Sequence, residues 1–258
     1  MTASEGRSGL AVSGLTVKYG GVVANNDVSL RVQPGRVSGL IGPNGAGKTT
    51  FVDAVSGFAA STGSVTLDGR RIDNLRPFRR CAAGLTRTWQ SGELFSNLTV
   101  TENVLVASTP GGLGALVRDV FERRRRSRPE RVDRVLELMG LSDRAEVVAG
   151  QLPLGQQKLV GVARALAGHC SVVLLDEPAA GLDNDESEEL RARLRDVAAA
   201  GIGVLLIDHD MSLVVDVCDS VDVMQFGSII FSGPPKEALS DDAVVEAYLG
   251  APLEASHE

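Results

Sequence analysis

Apolar positions recur along the chain with two different periods. Residues 10–19 alternate, with Leu15 and Val17 apolar around Thr16 and Lys18, and Val28, Leu30 and Val32 alternate with polar neighbours. A period of two sends successive side chains to opposite faces, so both segments read as half-buried strands. Gln33-Pro34-Gly35 ends the second, and Val65-Thr66-Leu67 enters a tight turn at Asp68-Gly69. These strands predict an antiparallel sheet. Short apolar runs at 37–41, 171–175 and 203–207 read instead as strands buried on both faces, as in a parallel sheet, with further strands at 221–226 and 229–232. Helical spacing appears at Val132, Val135, Leu136 and Met139, ended by Gly140, and again at Leu159, Val160, Ala163 and Leu166. Helices are also predicted over 76–83, from Thr99-Val100-Thr101-Glu102 to about 107 with Thr99 or Thr101 as cap, over 186–200 and 211–218, and near 235–239 and 242–249. Strand–helix alternation of this kind predicts an α/β fold with a largely parallel sheet. One unit over 8–250 is expected. Its core is 8–91 with 160–250, a mostly helical insert fills 92–159, and 1–7 and 251–258 are tails.

Composition narrows the class. The 258 residues are 43% hydrophobic and 23% charged, ordinary values for a globular domain. A net charge of −7 and a sequence pI near 5.1 argue against nucleic-acid binding, which needs a basic face. Cys81, Cys170 and Cys218 lie far apart without C-x-x-C spacing, so they read as buried thiols in a reducing compartment. No apolar run approaches the ~18 residues of a membrane span, and the first residues lack an apolar signal region, so the expected location is cytoplasmic.

The chemistry concentrates at Gly42-Pro43-Asn44-Gly45-Ala46-Gly47-Lys48-Thr49-Thr50, which follows the 37–41 strand and opens a helix. This is the G-x-x-x-x-G-K-[ST] phosphate loop in its strand–loop–helix setting. Its glycines let backbone N–H groups point inward as an anion nest, with the positive end of the following helix behind them. Lys48 can reach the β- and γ-phosphates and the Thr49 hydroxyl can ligate Mg²⁺.

Val172-Val173-Leu174-Leu175-Asp176-Glu177 places two carboxylates at a strand end, where α/β sheets hold their ligands. Asp176 can hold Mg²⁺ and Glu177 can polarise an attacking water. The alternative is an acidic cluster at the next helix start. His209, at the end of the 203–207 strand, is either a γ-phosphate and water contact or a surface residue. Gln90, just before the insert, can sense Mg²⁺ or the water. Tyr19 can stack on adenine or cap the surface.

The order and spacing of these elements resemble the nucleotide-binding subunit of ABC transporters over about residues 10–250. Gly42 to Thr49 matches Walker A, Asp176 Walker B, Glu177 the catalytic glutamate, Gln90 the Q-loop, His209 the switch histidine and Tyr19 the adenine-stacking aromatic. Ala180-Gly181-Leu182-Asp183 matches the D-loop, and Leu152-Pro153-Leu154-Gly155-Gln156 stands at the signature position. Pro153 replaces the signature serine, leaving Gly155, Gln156 and a helix start to face phosphate. The Pro-Leu pair, Arg87-Thr88-Trp89-Gln90, and residues 94–104 and 247–250 resemble the branched-chain and hydrophobic amino-acid importer subfamily.

The resemblance implies a P-loop NTPase core of the RecA-like kind with an antiparallel β subdomain and a helical insert. It implies ATP and Mg²⁺ as ligands, contacted by Tyr19, Asn44, Gly45, Ala46, Gly47, Lys48, Thr49, Thr50, Gly155, Gln156 and Asp183. Two subunits, either two copies of this chain or this chain and a paralogue, would close head-to-tail over two ATP molecules. Transmembrane permease subunits would hold the chain at the inner face of the membrane, docking near residues 90–97. An exporter of a lipid-linked glycan and a non-transport ABC ATPase are the competing functions. Arg123 to Arg126, with Arg128, reads as a solvated loop or a lipid contact. The acidic run Asp185, Glu186, Glu188 and Glu189 reads as capping for the next helix, with Asp183 set apart for the D-loop.

Overall fold

A computed structural model of the chain describes residues 8–88, 94–108, 129–208 and 211–249. Gln90, His209 and the Arg123 to Arg126 run lie outside the described residues.

Two sheets divide the strands by period. The alternating segments β1 (Leu10–Tyr19) and β2 (Val22–Val32) pair with β4 (Thr62–Leu67) and β5 (Arg70–Arg71) in a four-stranded antiparallel sheet, ordered β2-β1-β4-β5. The second sheet holds β3 (Val37–Ile41), β6 (Leu85–Arg87), β7 (Val172–Asp176), β8 (Gly203–Ile207), β9 (Ser220–Gln225) and β10 (Ser228–Gly233). Its order is β10-β9-β3-β8-β7-β6, parallel throughout except for the β9–β10 edge hairpin.

The central strands are apolar on both faces because both faces are covered. In β7, Val172 and Leu174 enter one core, while Val173 and Leu175 enter the other. The first core lies between the two sheets and contains Phe51 of α1 (Lys48–Ser56), fully buried. The second holds α3 (Val100–Ser108), α4 (Glu130–Leu138), α5 (Leu154–Leu166), α6 (Asn184–Ala199) and α7 (Met211–Val217). The helices α8 (Pro235–Ala238) and α9 (Asp242–Leu249) close the described chain.

Helix starts follow side-chain chemistry. Thr99 and Glu102 cap α3 reciprocally. The Thr99 hydroxyl accepts the Glu102 N–H at 3.1 Å and the Glu102 carboxylate accepts the Thr99 N–H at 2.9 Å. Thr101 turns inward instead and donates to Ala145 O. The acidic run differs from expectation. The helix begins at Asn184, and Asp183, expected to stand apart, is its N-cap, accepting the Glu186 N–H at 2.9 Å. A short polar side chain ahead of a helix satisfies amides that have no intrahelical partner, and Asp does this at little cost.

Beside α1 and β6, α2 (Pro77–Ala83) sends Arg80 under the last turn of α1. Its guanidinium donates to Ala54 O at 2.8 Å and Val55 O at 2.6 Å, and to Leu75 O and Asp73 O on the loop before α2. A cation at a helix C-terminus meets orphan carbonyls and the negative end of the dipole together.

Candidate nucleotide site

Parallel strands bring their carboxyl ends to one edge, and the chemistry collects there. The loop after β3 curls from Gly42 to Gly47 and passes into α1 at Lys48. Gly47 has φ +105°, and a Cβ there would stand 2.6 Å from Ala24 O, so only glycine fits. The loop is held from both sides: Asn25 Nδ2 donates to Gly47 O at 3.1 Å, and Gly227 N–H donates to Ala46 O at 2.8 Å. Asn25 is fully buried on β2.

Lys48 folds back over its own loop, with Nζ 2.6 Å from Gly42 O and 3.1 Å from Pro43 O. Burial pushes its pKa below the usual lysine value, opposed by the charges of Glu177, Asp176 and Asp208. Asp176 ends β7, two strands from the phosphate loop with β8 between. Burial pushes its carboxyl upward, Arg87 pulls it down and Glu177 adds to the rise. Glu177 follows in the left-handed region at φ +47°, a strained setting for a residue with a Cβ, and its N–H donates to Ile207 O at 2.8 Å. The kink turns Glu177 out of the strand, and both acids face the same cavity as Lys48 and Thr49.

That cavity is about 500 Å³, lined by the loop from Asn44 to Thr50, the two carboxylates, Val22 to Ala24, Phe226 and Gly227. Loop amides, an ammonium and a helix N-terminus on one side face carboxylates on the other, a suitable cradle for a polyphosphate. The Thr49 hydroxyl and the Asp176 carboxylate are hard oxygen donors. Among the described residues no cluster of three or more His, Cys, Asp or Glu could hold a metal by itself. One carboxylate and one hydroxyl fit a magnesium ion that takes its other ligands from phosphates and water.

Tyr19 ends β1, 55% exposed, opposite Val22 at the cavity rim and not among its lining residues. Gly155 and Gln156 start α5 and Asp183 caps α6, and none of the three lines the cavity. Several contributors were missed in the sequence, Phe226 and Arg87 among them. Phe226, at φ +46° and 87% exposed, forms part of the cavity wall. Arg87 places one guanidinium nitrogen 2.6 Å from Asp53 on α1 and another 3.8 Å from Asp176. A turn residue and a strand-end arginine carry no sequence pattern that marks them as neighbours of a phosphate loop.

A phosphate loop and a strand-end carboxylate pair at the mouth of a parallel sheet, beside an antiparallel sheet and a helical lobe, define an ATPase cassette of the P-loop class. Residues 25–180 match the family profile described as ABC transporter. The chain is 38% identical to the high-affinity branched-chain amino acid transport ATP-binding protein BraF of Pseudomonas aeruginosa, and 36% identical to LivG of Escherichia coli strain K12. Each comparison covers 93% of this chain and 97% of the relative. A solved ADP conformation of an ATP-binding cassette of an ABC transporter superposes with a TM-score of 0.81 at 31% identity, over 93% of this chain and 98% of that one. The chain belongs to the ABC transporter family, as an ATP-hydrolysing subunit.

Proposed function

We propose that this chain powers an importer of branched-chain or other hydrophobic amino acids, working as one of two ATPase subunits that close over ATP. The observation that carries the reading is the single cavity shared by Lys48, Thr49, Asp176 and Glu177. The solute class is supported by relatives that are named as branched-chain amino acid transport proteins and matched over nearly their full length.

In the proposed reaction the loop amides from Asn44 to Thr50 and Lys48 grip the β- and γ-phosphates, and Tyr19 stacks on the adenine. Bound magnesium, held by Thr49 and Asp176 and with Gln90 assigned as a further ligand, would supply positive charge across the phosphate oxygens. Glu177 takes the proton of the attacking water while His209 steadies the γ-phosphate. Gly155 and Gln156 of each chain face the nucleotide of the other, with Asp183 at the same interface.

A second cavity, about 1090 Å³, lies between α2, β6 and the helical lobe, with exposed Phe58, Phe78 and Phe95 along it. Asn103, fully buried, holds the Phe95 loop by bonding its N–H and C=O at 3.0 Å each. Aromatic side chains left exposed along a groove favour a protein partner. This groove is the proposed seat of a permease segment. No helix among the described residues is long and apolar enough to cross a membrane, so attachment to the inner face of the membrane runs through that partner.

The test is Glu177→Gln. With the base removed, turnover collapses and ATP-bound dimers accumulate, read by phosphate release and size-exclusion chromatography. Equal turnover in both proteins discards Glu177 as the base.

A further inference from the structure

The start of α5 is the part of the signature left to face a partner's phosphate, yet its amides are not idle in the single chain. Pro153 at the N-cap offers no side-chain bond, and no acid stands in the first turn of the helix. The cap comes from another element. Glu186, in the first turn of α6, accepts the Gly155 N–H on Oε1 at 2.8 Å. Its Oε2 accepts the Asp183 N–H at 3.3 Å, closing the reciprocal cap with Asp183. One carboxylate therefore ties the signature helix to the D-loop.

The fit is close enough to dictate sequence. Gly155 does not have a positive φ, so its backbone conformation alone does not require glycine. A Cβ there would stand 2.8 Å from Glu186 Cγ and 2.9 Å from Cβ and Cδ. Glycine at 155 makes room for the Glu186 side chain. The same neighbourhood joins Gly181 of the D-loop to the signature, where a Cβ would meet Leu154 Cδ2 at 3.4 Å.

We propose that Glu186 is a positioning residue for the partner's nucleotide: its carboxylate holds the Gly155 amide ready and gives it up when a phosphate arrives. The inference rests on the two-subunit reading above, with two copies of this chain as the pair. An N–H at a helix start attracts an anion, and a carboxylate and a γ-phosphate are both anions. They cannot share one short N–H bond, and like charges at that separation repel. Closure over ATP therefore requires Glu186 to move off Gly155. Since Glu186 also caps α6, that movement shifts the D-loop with the signature. The carboxylate holds the signature in an open, filled state and sets how much ATP is needed to close the pair.

The test uses the full chain carrying Glu177→Gln, titrated with Mg-ATP and followed by analytical ultracentrifugation. Adding Glu186→Gln keeps an oxygen to accept the Gly155 N–H but removes the charge. The ATP concentration at half-dimerisation is expected to fall at least threefold. Glu186→Asp, one methylene shorter, keeps the charge but cannot span to Gly155, and is expected to lower the midpoint less. It also stands in if the glutamine variant fails to fold, as judged by thermal melting. A residue that only caps a helix would give the opposite sign, because loosening the signature weakens the pair. An unchanged or raised midpoint in both variants overturns the proposal. A parent that stays monomeric at saturating ATP overturns the pairing of two copies and this inference with it.

Discussion

Arg87 and Asp176 lie 3.8 Å apart at the closest nitrogen–oxygen approach, with the other arm of the guanidinium on Asp53 at 2.6 Å. The arginine side chain is 9% exposed and its ring neighbour Phe58 lies 5.9 Å from Cζ. One cation thus joins the helix of the phosphate loop, the strand-end acid and the wall of the larger groove. Arg87→Met leaves two carboxylates without their shared counter-charge. We expect a loss of about 2–3 kcal/mol in urea unfolding, below the range for fully buried pairs because Asp53 is partly exposed. Arg87→Lys restores part of it, since a lysine keeps the charge but cannot fork. Equal stability of all three proteins removes Arg87 from this role.

Arg80 serves α1 from beneath. Burial lowers its pKa, and four backbone carbonyls accept from it. Arg80→Leu keeps the bulk but strands the Val55 carbonyl away from water, while Ala54 O keeps the Gly57 N–H at 3.1 Å. A buried orphan costs roughly 1–3 kcal/mol, so a loss of about 2 kcal/mol is expected in chemical denaturation. A variant within experimental error of the parent contradicts this account.

Lys48 separates affinity from stability. Its ammonium is buried, bonded to two carbonyls of its own loop, and its pKa is depressed. Lys48→Ala should weaken ATP binding by at least tenfold in calorimetric titration, about 1.4 kcal/mol. The nucleotide-free protein should melt no lower than the parent, because a poorly solvated charge has been removed. Retained affinity in the variant counts against the assigned contact.

Asp222 sits on β9 against the Ser232 hydroxyl of β10. Burial raises its pKa, and the hydroxyl bond only partly opposes the rise. A carboxyl whose folded pKa lies above its unfolded value binds its proton more tightly in the fold. Its contribution is full below the ordinary carboxylate range, around pH 4, and is lost as pH rises through the raised value. Asp222→Asn should therefore melt higher than the parent at pH 7, with the gap closing by pH 4. A gap that widens on acidification reverses the sign and refutes the assignment.

Cys81 reports on the groove. It is the exposed thiol among the three cysteines and lines the groove wall, while Cys170 and Cys218 are buried, the latter with its pKa pushed up to about 12. Maleimide should label one thiol per folded chain, slowly, since partial desolvation against the groove wall raises the Cys81 pKa. Assembly with the permease subunits should slow that labelling severalfold. An unchanged rate in the complex moves the docking surface elsewhere.

Much of this molecule is written in local pattern. Period-two alternation marked the antiparallel strands, apolar runs marked the parallel ones, and the phosphate loop and Asp176-Glu177 were readable because their chemistry needs neighbouring residues in fixed order. The tertiary structure decided what sequence separation hides. Asn25 and Gly227 clamp a loop about twenty and nearly two hundred residues away. Arg87 meets Asp176 because β6 and β7 are parallel neighbours. Glu186, read as one acid in a helix-capping run, crosses to Gly155 because α5 and α6 start side by side. A helix start can be capped by any chain that passes close enough, so which carboxylate arrives there is a property of packing, not of spacing.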